Sequence, residues 1–176
     1  MIKKILLVIA LVVVALLITA AFKSPDFRIT RSAVIPAPPS AVFAQINDLH
    51  QWQAWSPWEK LDPAMTRTFS GPAAGVGAIY EWAGNSKVGS GRMTITESRA
   101  PELIKLRLDF HSPMESTCDT VFDLKPEGNG TAVSWTMSGK NNFVARLFCM
   151  FMNMDKVVGG EFENGLANLQ KTANPR

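Results

Sequence analysis

Few side chains in this sequence are equipped for acid–base or nucleophilic chemistry. His50 and His111 are its only imidazoles, and histidine is the commonest general base. His50 follows Asp48 by two residues, so an Asp48–His50 pair is conceivable; a solvent-facing loop histidine is the plainer expectation. His111 alternates with Lys105, Arg107 and Asp109, which puts it on a solvated strand face. Tyr80 is the only tyrosine: a hydroxyl able to orient a ligand or donate a proton, or a core ring with a satisfied OH. No set stands out as catalytic, and the candidates are Tyr80, Asp48 and His50. Cys118 and Cys149 are the only thiols, either bonded to each other or buried and free. No Cys/His cluster has metal-ligand spacing. The Gly-x-Ser-x-Gly, His-Glu-x-x-His, phosphate-loop and complete dinucleotide motifs are missing. Neither a metal nor a cofactor is expected.

The other available chemistry is the holding of apolar molecules. Trp52, Trp55 and Trp58 recur every third residue, either as an aromatic lid or as pins that fix short helices to the rest of the fold. Two of them suit the structural role. An indole keeps an N–H that needs a partner, so a rim position suits at least one.

The elements that position these residues follow from periodicity. Arg28 to Ile35 is β-branched and stops at Pro36, as a strand does. Pro38-Pro39-Ser40 opens a short helix from Ala41 to about Ile46. Asp48 to Lys60, interrupted by Pro57, fits one or two short helical turns. Period two then marks strands at Met65–Ser70, Val76–Ala83, Val88–Arg99, Leu103–His111, Ser116–Lys125 and Thr131–Gly139. Gly75-x-Gly77 and Gly89-x-Gly91 fit strand ends and bulges, and Glu127-Gly128-Asn129-Gly130 fits a hairpin turn.

Phe143, Leu147, Phe151, Met154, Val158, Phe162, Leu166 and Leu169 recur at steps of three and four. They predict one long amphipathic helix, bent at Gly159-Gly160. Hairpin-linked strands imply an antiparallel sheet, and the helix must bury its stripe against it. Alternation puts Tyr80, Trp82, Met93, Leu108, Phe110, Cys118, Phe122 and Trp135 on the inner face.

The chain has 176 residues, 47% of them hydrophobic, which fits one globular domain with a membrane-like attachment. Its net charge of +3 owes two units to Lys3 and Lys4; the rest has 16 basic against 15 acidic residues. No basic run occurs, so nucleic acid is not an expected partner. Ile5 to Phe22 is free of charge and, at about 1.5 Å per residue, about 27 Å long as a helix. It suits an uncleaved anchor. A cleaved signal peptide, cut near Thr19-Ala20-Ala21, is the competing reading. Lys3 and Lys4 place the N-terminus in the cytoplasm and the domain on the periplasmic side of an inner membrane, against the weaker pull of Lys23, Arg28 and Arg31. The expected division is 1–22 anchor, 23–26 linker and 27–176 domain.

Ile35 to Phe43, Asn47 to Trp58, Gly75 to Asn85 and Phe162 to Leu169, taken in order, resemble segments of the START-like, polyketide cyclase/dehydrase (SRPBCC) superfamily, with its helix-grip fold. Ile35-Pro36-Ala37-Pro38-Pro39-Ser40-Ala41-Val42-Phe43 is similar to the family's first strand running into its first helix. Asn47-Asp48-Leu49 with Trp52, Trp55 and Ser56-Pro57-Trp58 resembles the tryptophan segment of its membrane-anchored bacterial members. Gly75 to Asn85 resembles their glycine-rich third strand, and Phe162 to Leu169 the end of the closing helix.

The likeness spans Phe27 to Thr172. It implies an α+β fold in which a curved antiparallel sheet of about seven strands wraps a long C-terminal helix. Members bind lipids, sterols, hormones or polyketides, and some are enzymes. The leading expectation is a membrane-tethered module that binds a small hydrophobic or lipid-like ligand between sheet and helix. Its expected lining is Trp55, Trp58, Tyr80, Trp82, Met93, Leu108, Phe110, Trp135, Met154 and Phe162. An interaction protein with a filled core comes second. A cyclase or dehydratase acting through Tyr80 or Asp48–His50 comes third, because inward acid–base groups are few.

Overall fold

The computed structural model describes residues 1–174; Pro175 and Arg176, the last two of the expected domain, lie outside the described residues. Helix α1 (Ile2–Phe22) leads into strand β1 (Asp26–Ile35). Helix α2 (Pro39–Asn47) and the one-turn α3 (Trp52–Trp55) follow, with short 3-10 turns at Leu49–Gln51 and Pro57–Lys60. Six strands come next: β2 (Thr66–Ser70), β3 (Ile79–Ala83), β4 (Ser90–Arg99), β5 (Leu103–Ser112), β6 (Ser116–Glu127) and β7 (Gly130–Lys140). Helices α4 (Phe143–Phe151) and α5 (Met154–Ala173) close the described chain. The strands form one antiparallel sheet in the order β1-β7-β6-β5-β4-β3-β2, the expected α+β helix-grip arrangement.

The core lies between the inner face of this sheet and the layer made by α2, α3 and α5. Its buried residues alternate along the strands: Ile104 and Leu106 on β5, Thr120, Phe122 and Leu124 on β6, Val133 and Trp135 on β7. From the helices come Val42, Phe43 and Ile46 of α2, and Phe162, Leu166 and Leu169 of α5. No α1 residue belongs to this cluster, so a chain starting at Lys23 keeps its core. Helix α1 is long and apolar enough to cross a membrane; a signal sequence would pass the same test.

The structure corrects several expectations. The C-terminal helix is two helices, and the break falls at Met152-Asn153 instead of Gly159-Gly160. Asn153 accepts from the N–H of Lys156 and starts a new helix, as Asn142 starts α4 by accepting from Ala145. The predicted stripe is consequently buried only in its second half. Phe162, Leu166 and Leu169 face the core, whereas Phe143, Phe151 and Met154 are exposed.

Strand β1 starts at Asp26, inside the expected linker, because Asp26 and Phe27 pair with Lys140 and Gly139. Strand β3 starts at Ile79 and not Val76, since Gly75 and Gly77 hold φ of 79° and 89° in a turn. Strand β4 starts after Gly89, whose φ is 62°. Strand β2 starts at Thr66, one residue after the buried Met65.

Candidate functional site

The deep part of the grip is an aromatic cluster. Trp135 of β7 stacks on Phe162 of α5, with ring centroids 4.2 Å apart and planes 6° from parallel. Trp55 meets Trp135 and Phe122 edge-on at 5.7 and 6.2 Å. The Trp52 and Trp55 indole N–H groups donate to the carbonyls of Ile46 and Gln45, which ties α3 to the end of α2. Both rings are buried, whereas Trp58 keeps part of its surface accessible beside Trp135 and Phe162. Trp135 Nε1 is the exception among these indoles: it is buried and has no acceptor among the described residues. A buried donor left unpaired costs about 1–3 kcal/mol, so it is available to an oxygen that reaches it.

Toward the end of the sheet where β1 begins, the inner face is less covered. Trp82, Leu108, Phe110 and Met137 point inward by alternation, yet each is only partly buried. Register places them side by side: Gly91 pairs with both Trp82 and Phe110, and Leu108 pairs with Met93 and Cys118. Gly91 makes this possible. A Cβ there would come within 2.6 Å of the Trp82 ring, which lies across the glycine and meets Phe110 edge-on at 5.7 Å. Trp58 and Val158 are half-buried on the opposite, helical side.

The polar groups form two clusters. Tyr80 donates to Glu59 Oε1 at 2.7 Å, and Arg67 donates to Glu59 Oε2 through Nε at 2.8 Å. The Glu59 side chain is 7% exposed and that of Arg67 20% exposed. Burial, then the Glu59 carboxylate, holds the Tyr80 phenol protonated far above the usual tyrosine range. Its proton is committed to Glu59. Glu59 and Arg67 are absent from the sequence expectation. Arg67 alternates with Phe69 on the apolar face of β2, and a charge there needs a partner.

The second cluster is the Asp48–His50 pair. His50 Nδ1 lies 2.9 Å from Asp48 Oδ1, and its ring stacks on Phe69 at 4.1 Å. Burial raises the Asp48 carboxyl, but the backbone and ring hydrogen bonds of His50 and that of Gln51 outweigh it, so its pKa falls below the usual value. His50 and Phe69 line a concavity of about 250 Å³ with Leu49, Pro72 and Ile79. Phe69 stacks on Tyr80 at 5.0 Å, so a row of rings runs from His50 through Phe69, Tyr80 and Trp82 to Phe110.

Of the expected lining, Trp55, Tyr80, Met93, Trp135 and Phe162 are buried, and Trp58, Trp82, Leu108 and Phe110 are partly accessible. Met154 is exposed at the start of α5. His111 is exposed, and Cys118 and Cys149 are free thiols.

The profile described as polyketide cyclase/dehydrase and lipid transport matches residues 26–174. No match was found among curated proteins. Among solved structures, protein CV1439 from Chromobacterium violaceum is similar with a TM-score of 0.61 and 17% identity, over 86% of this chain and 99% of that one. The Aha1 dimer from Colwellia psychrerythraea gives 0.59 and 16%, over 85% and 97%. The di-domain ARO/CYC protein BexL, from the BE-7585A biosynthetic pathway, gives 0.62 and 15%, over 89% of this chain and 53% of that one. At these identities the likeness is one of fold.

Proposed function

The chain belongs to the polyketide cyclase/dehydrase and lipid transport family, and from that premise we propose that it is a membrane-anchored module that binds a small apolar or amphipathic, lipid-like molecule in its grip. The observation that carries this reading is the set Trp82, Leu108, Phe110 and Met137: apolar side chains on a concave face that the helices leave partly uncovered. Covering them with an apolar ligand gains about 25 cal/mol per Å² removed from water. Trp58 and Val158 supply the facing wall. Trp135 and Phe162 form the floor, with the unpaired Trp135 N–H as a donor for a ligand oxygen. Helix α1 serves as the anchor, with Lys3 and Lys4 on the cytoplasmic side.

The test is native mass spectrometry of residues 23–176 purified without detergent, followed by solvent extraction. A co-purifying apolar mass that is lost in Leu108→Trp, at unchanged thermal stability, is the expected result. A bare protein that also takes up no fluorescent fatty acid overturns the reading in favour of a filled core and a protein partner.

One observation favours a second, cyclase-like reading: Asp48 and His50 are paired at a concavity, as a general base and its orienting carboxylate would be. A substrate turned over by the wild type and not by His50→Gln would move the assignment there.

A further inference from the structure

Helix α4 presents an apolar face that nothing among the described residues covers. Val144, Phe148 and Phe151 fall at the i, i+4, i+7 positions of one helical face, and their exposures run from 48% for Val144 to 76% for Phe151; Met152, the residue just past the helix, is 49% exposed. Between Asn141 and Met154 the only charged residue is Arg146, and it turns away from that face. Its Nη1 donates to the carbonyls of Ala21 and Lys23 at 3.1 and 3.2 Å, two of the groups that the end of α1 leaves without helical partners. In return Lys23 Nζ donates to the Cys149 carbonyl at 2.9 Å, in the last turn of α4. Ala20 is buried and Leu16 partly so, the two least exposed residues of α1. Helix α4 therefore flanks the last turns of α1, from Leu16 to Phe22, a rise of about 9 Å.

We infer that α4 is an interfacial helix whose Val144–Phe148–Phe151 face is buried in the lipid leaflet at the C-terminal end of α1. This rests on the reading of α1 as a membrane anchor. If α1 spans the bilayer, a helix tied to its last turns sits at the headgroup–acyl boundary, the depth at which amphipathic helices lie, about 5–10 Å into that boundary. Helix α1 exposes apolar side chains along its length, so lipid that solvates it also reaches the exposed residues of α4 beside its last turns. Strand β1 begins at Asp26, four residues after α1 ends at Phe22, and the less covered end of the grip is the end where β1 begins, so docking α4 keeps that end near the membrane.

The test is site-directed spin labelling of the full chain, with Cys149→Ala, in vesicles of phosphatidylethanolamine and phosphatidylglycerol. Nitroxides are placed singly by Phe148→Cys, Phe151→Cys, Val13→Cys and Asn129→Cys. Accessibility to dissolved oxygen is compared with that to a water-soluble nickel chelate. The buried Cys118 thiol stays unlabelled, which the parent lacking introduced cysteines checks. The expected result is an oxygen-to-nickel ratio at residues 148 and 151 several-fold above that at residue 129 and below that at residue 13. Aqueous ratios at 148 and 151 with a hydrocarbon ratio at 13 overturn the inference and leave the anchor standing. Aqueous ratios at all four sites overturn the anchor reading itself. Labels at 148 and 151 shielded from both reagents point to a protein contact, such as a second copy, and also overturn it.

Discussion

Trp135 and Phe162 lie face to face, 4.2 Å between ring centroids and 6° from parallel, and this stack is how α5 grips the sheet. It joins β7 to the middle of the helix and closes the deep end of the concavity. In the proposed binding mode, a ligand between sheet and helix is thereby confined to the end lined by Trp82, Leu108, Phe110 and Met137. Phe162→Ala removes one ring of the stack from a site 1% exposed and should cost about 3–5 kcal/mol in denaturant unfolding of residues 23–176. It should also admit larger apolar probes than the wild type. A cost under about 1 kcal/mol would mean that the stack does not hold the helix.

Two glycines of α5 should respond oppositely to the same change. A Cβ at Gly165 would stand 2.7 Å from Trp135 Cζ3 and 3.1 Å from Pro57 Cδ. Gly165→Ala gains about 1 kcal/mol of helix propensity but overpacks a closed core by about 1–3 kcal/mol, so it should destabilise. At Gly160 nothing lies within 4 Å of the added Cβ, and Gly160→Ala should stabilise by about 0.5–1 kcal/mol. Thermal melts of the two variants decide, and a shared sign would contradict the packing described here.

The Tyr80–Glu59–Arg67 cluster should be asymmetric in its energetics. Arg67→Met leaves a carboxylate in a 7% exposed site without its cation, a loss of about 3–5 kcal/mol. Tyr80→Phe removes one hydrogen bond to a charged group, about 1.5–3 kcal/mol. Urea unfolding of the two variants should rank them in that order. The reverse order would mean that the phenol, and not the guanidinium, compensates the buried charge.

Alkaline pH should weaken the fold through groups that keep their protons when folded. Burial, reinforced by Asp119 and Asp109, pushes the Cys118 thiol from 9.0 up to about 12. Tyr80 is shifted in the same direction from its ordinary 10.0. The unfolded chain releases these protons at the ordinary values while the folded one retains them. The stabilisation is therefore complete below pH 9.0 and is lost as pH rises toward about 12. Denaturant titrations across that window should show the decline, and Cys118→Ala should flatten its lower part. In the native protein at neutral pH, Cys149 should alkylate well before Cys118; equal rates would contradict the burial of Cys118.

Local pattern was sufficient wherever one period governed a whole element. Alternation alone sorted Ile104, Leu106, Leu108 and Phe110 from Lys105, Arg107 and Asp109, and the pairing of β5 with β4 and β6 respects that sorting. The order of strands, short helices and closing helix carried the fold class, because consecutive hairpins leave one antiparallel sheet and one apolar helix to cover it.

Tertiary structure decided what periodicity cannot distinguish. An apolar stripe at helical spacing says that Phe148 and Phe162 each need cover, but not from what. Asn153 restarts the helix, so Phe162 turns onto Trp135 while Phe148 is left facing outward beside α1. Glu59 lies in a short turn with no period, and its placement against Arg67 and Tyr80 depends on how that turn folds over β2 and β3. Of the two readings of His50, the plainer one, a solvent-facing ring, fits its 48% exposure, and the pairing with Asp48 that the spacing made conceivable was legible too. The ring's seat on Phe69 was not, because contact between a loop and an edge strand about twenty residues away is fixed by the packing of the whole layer.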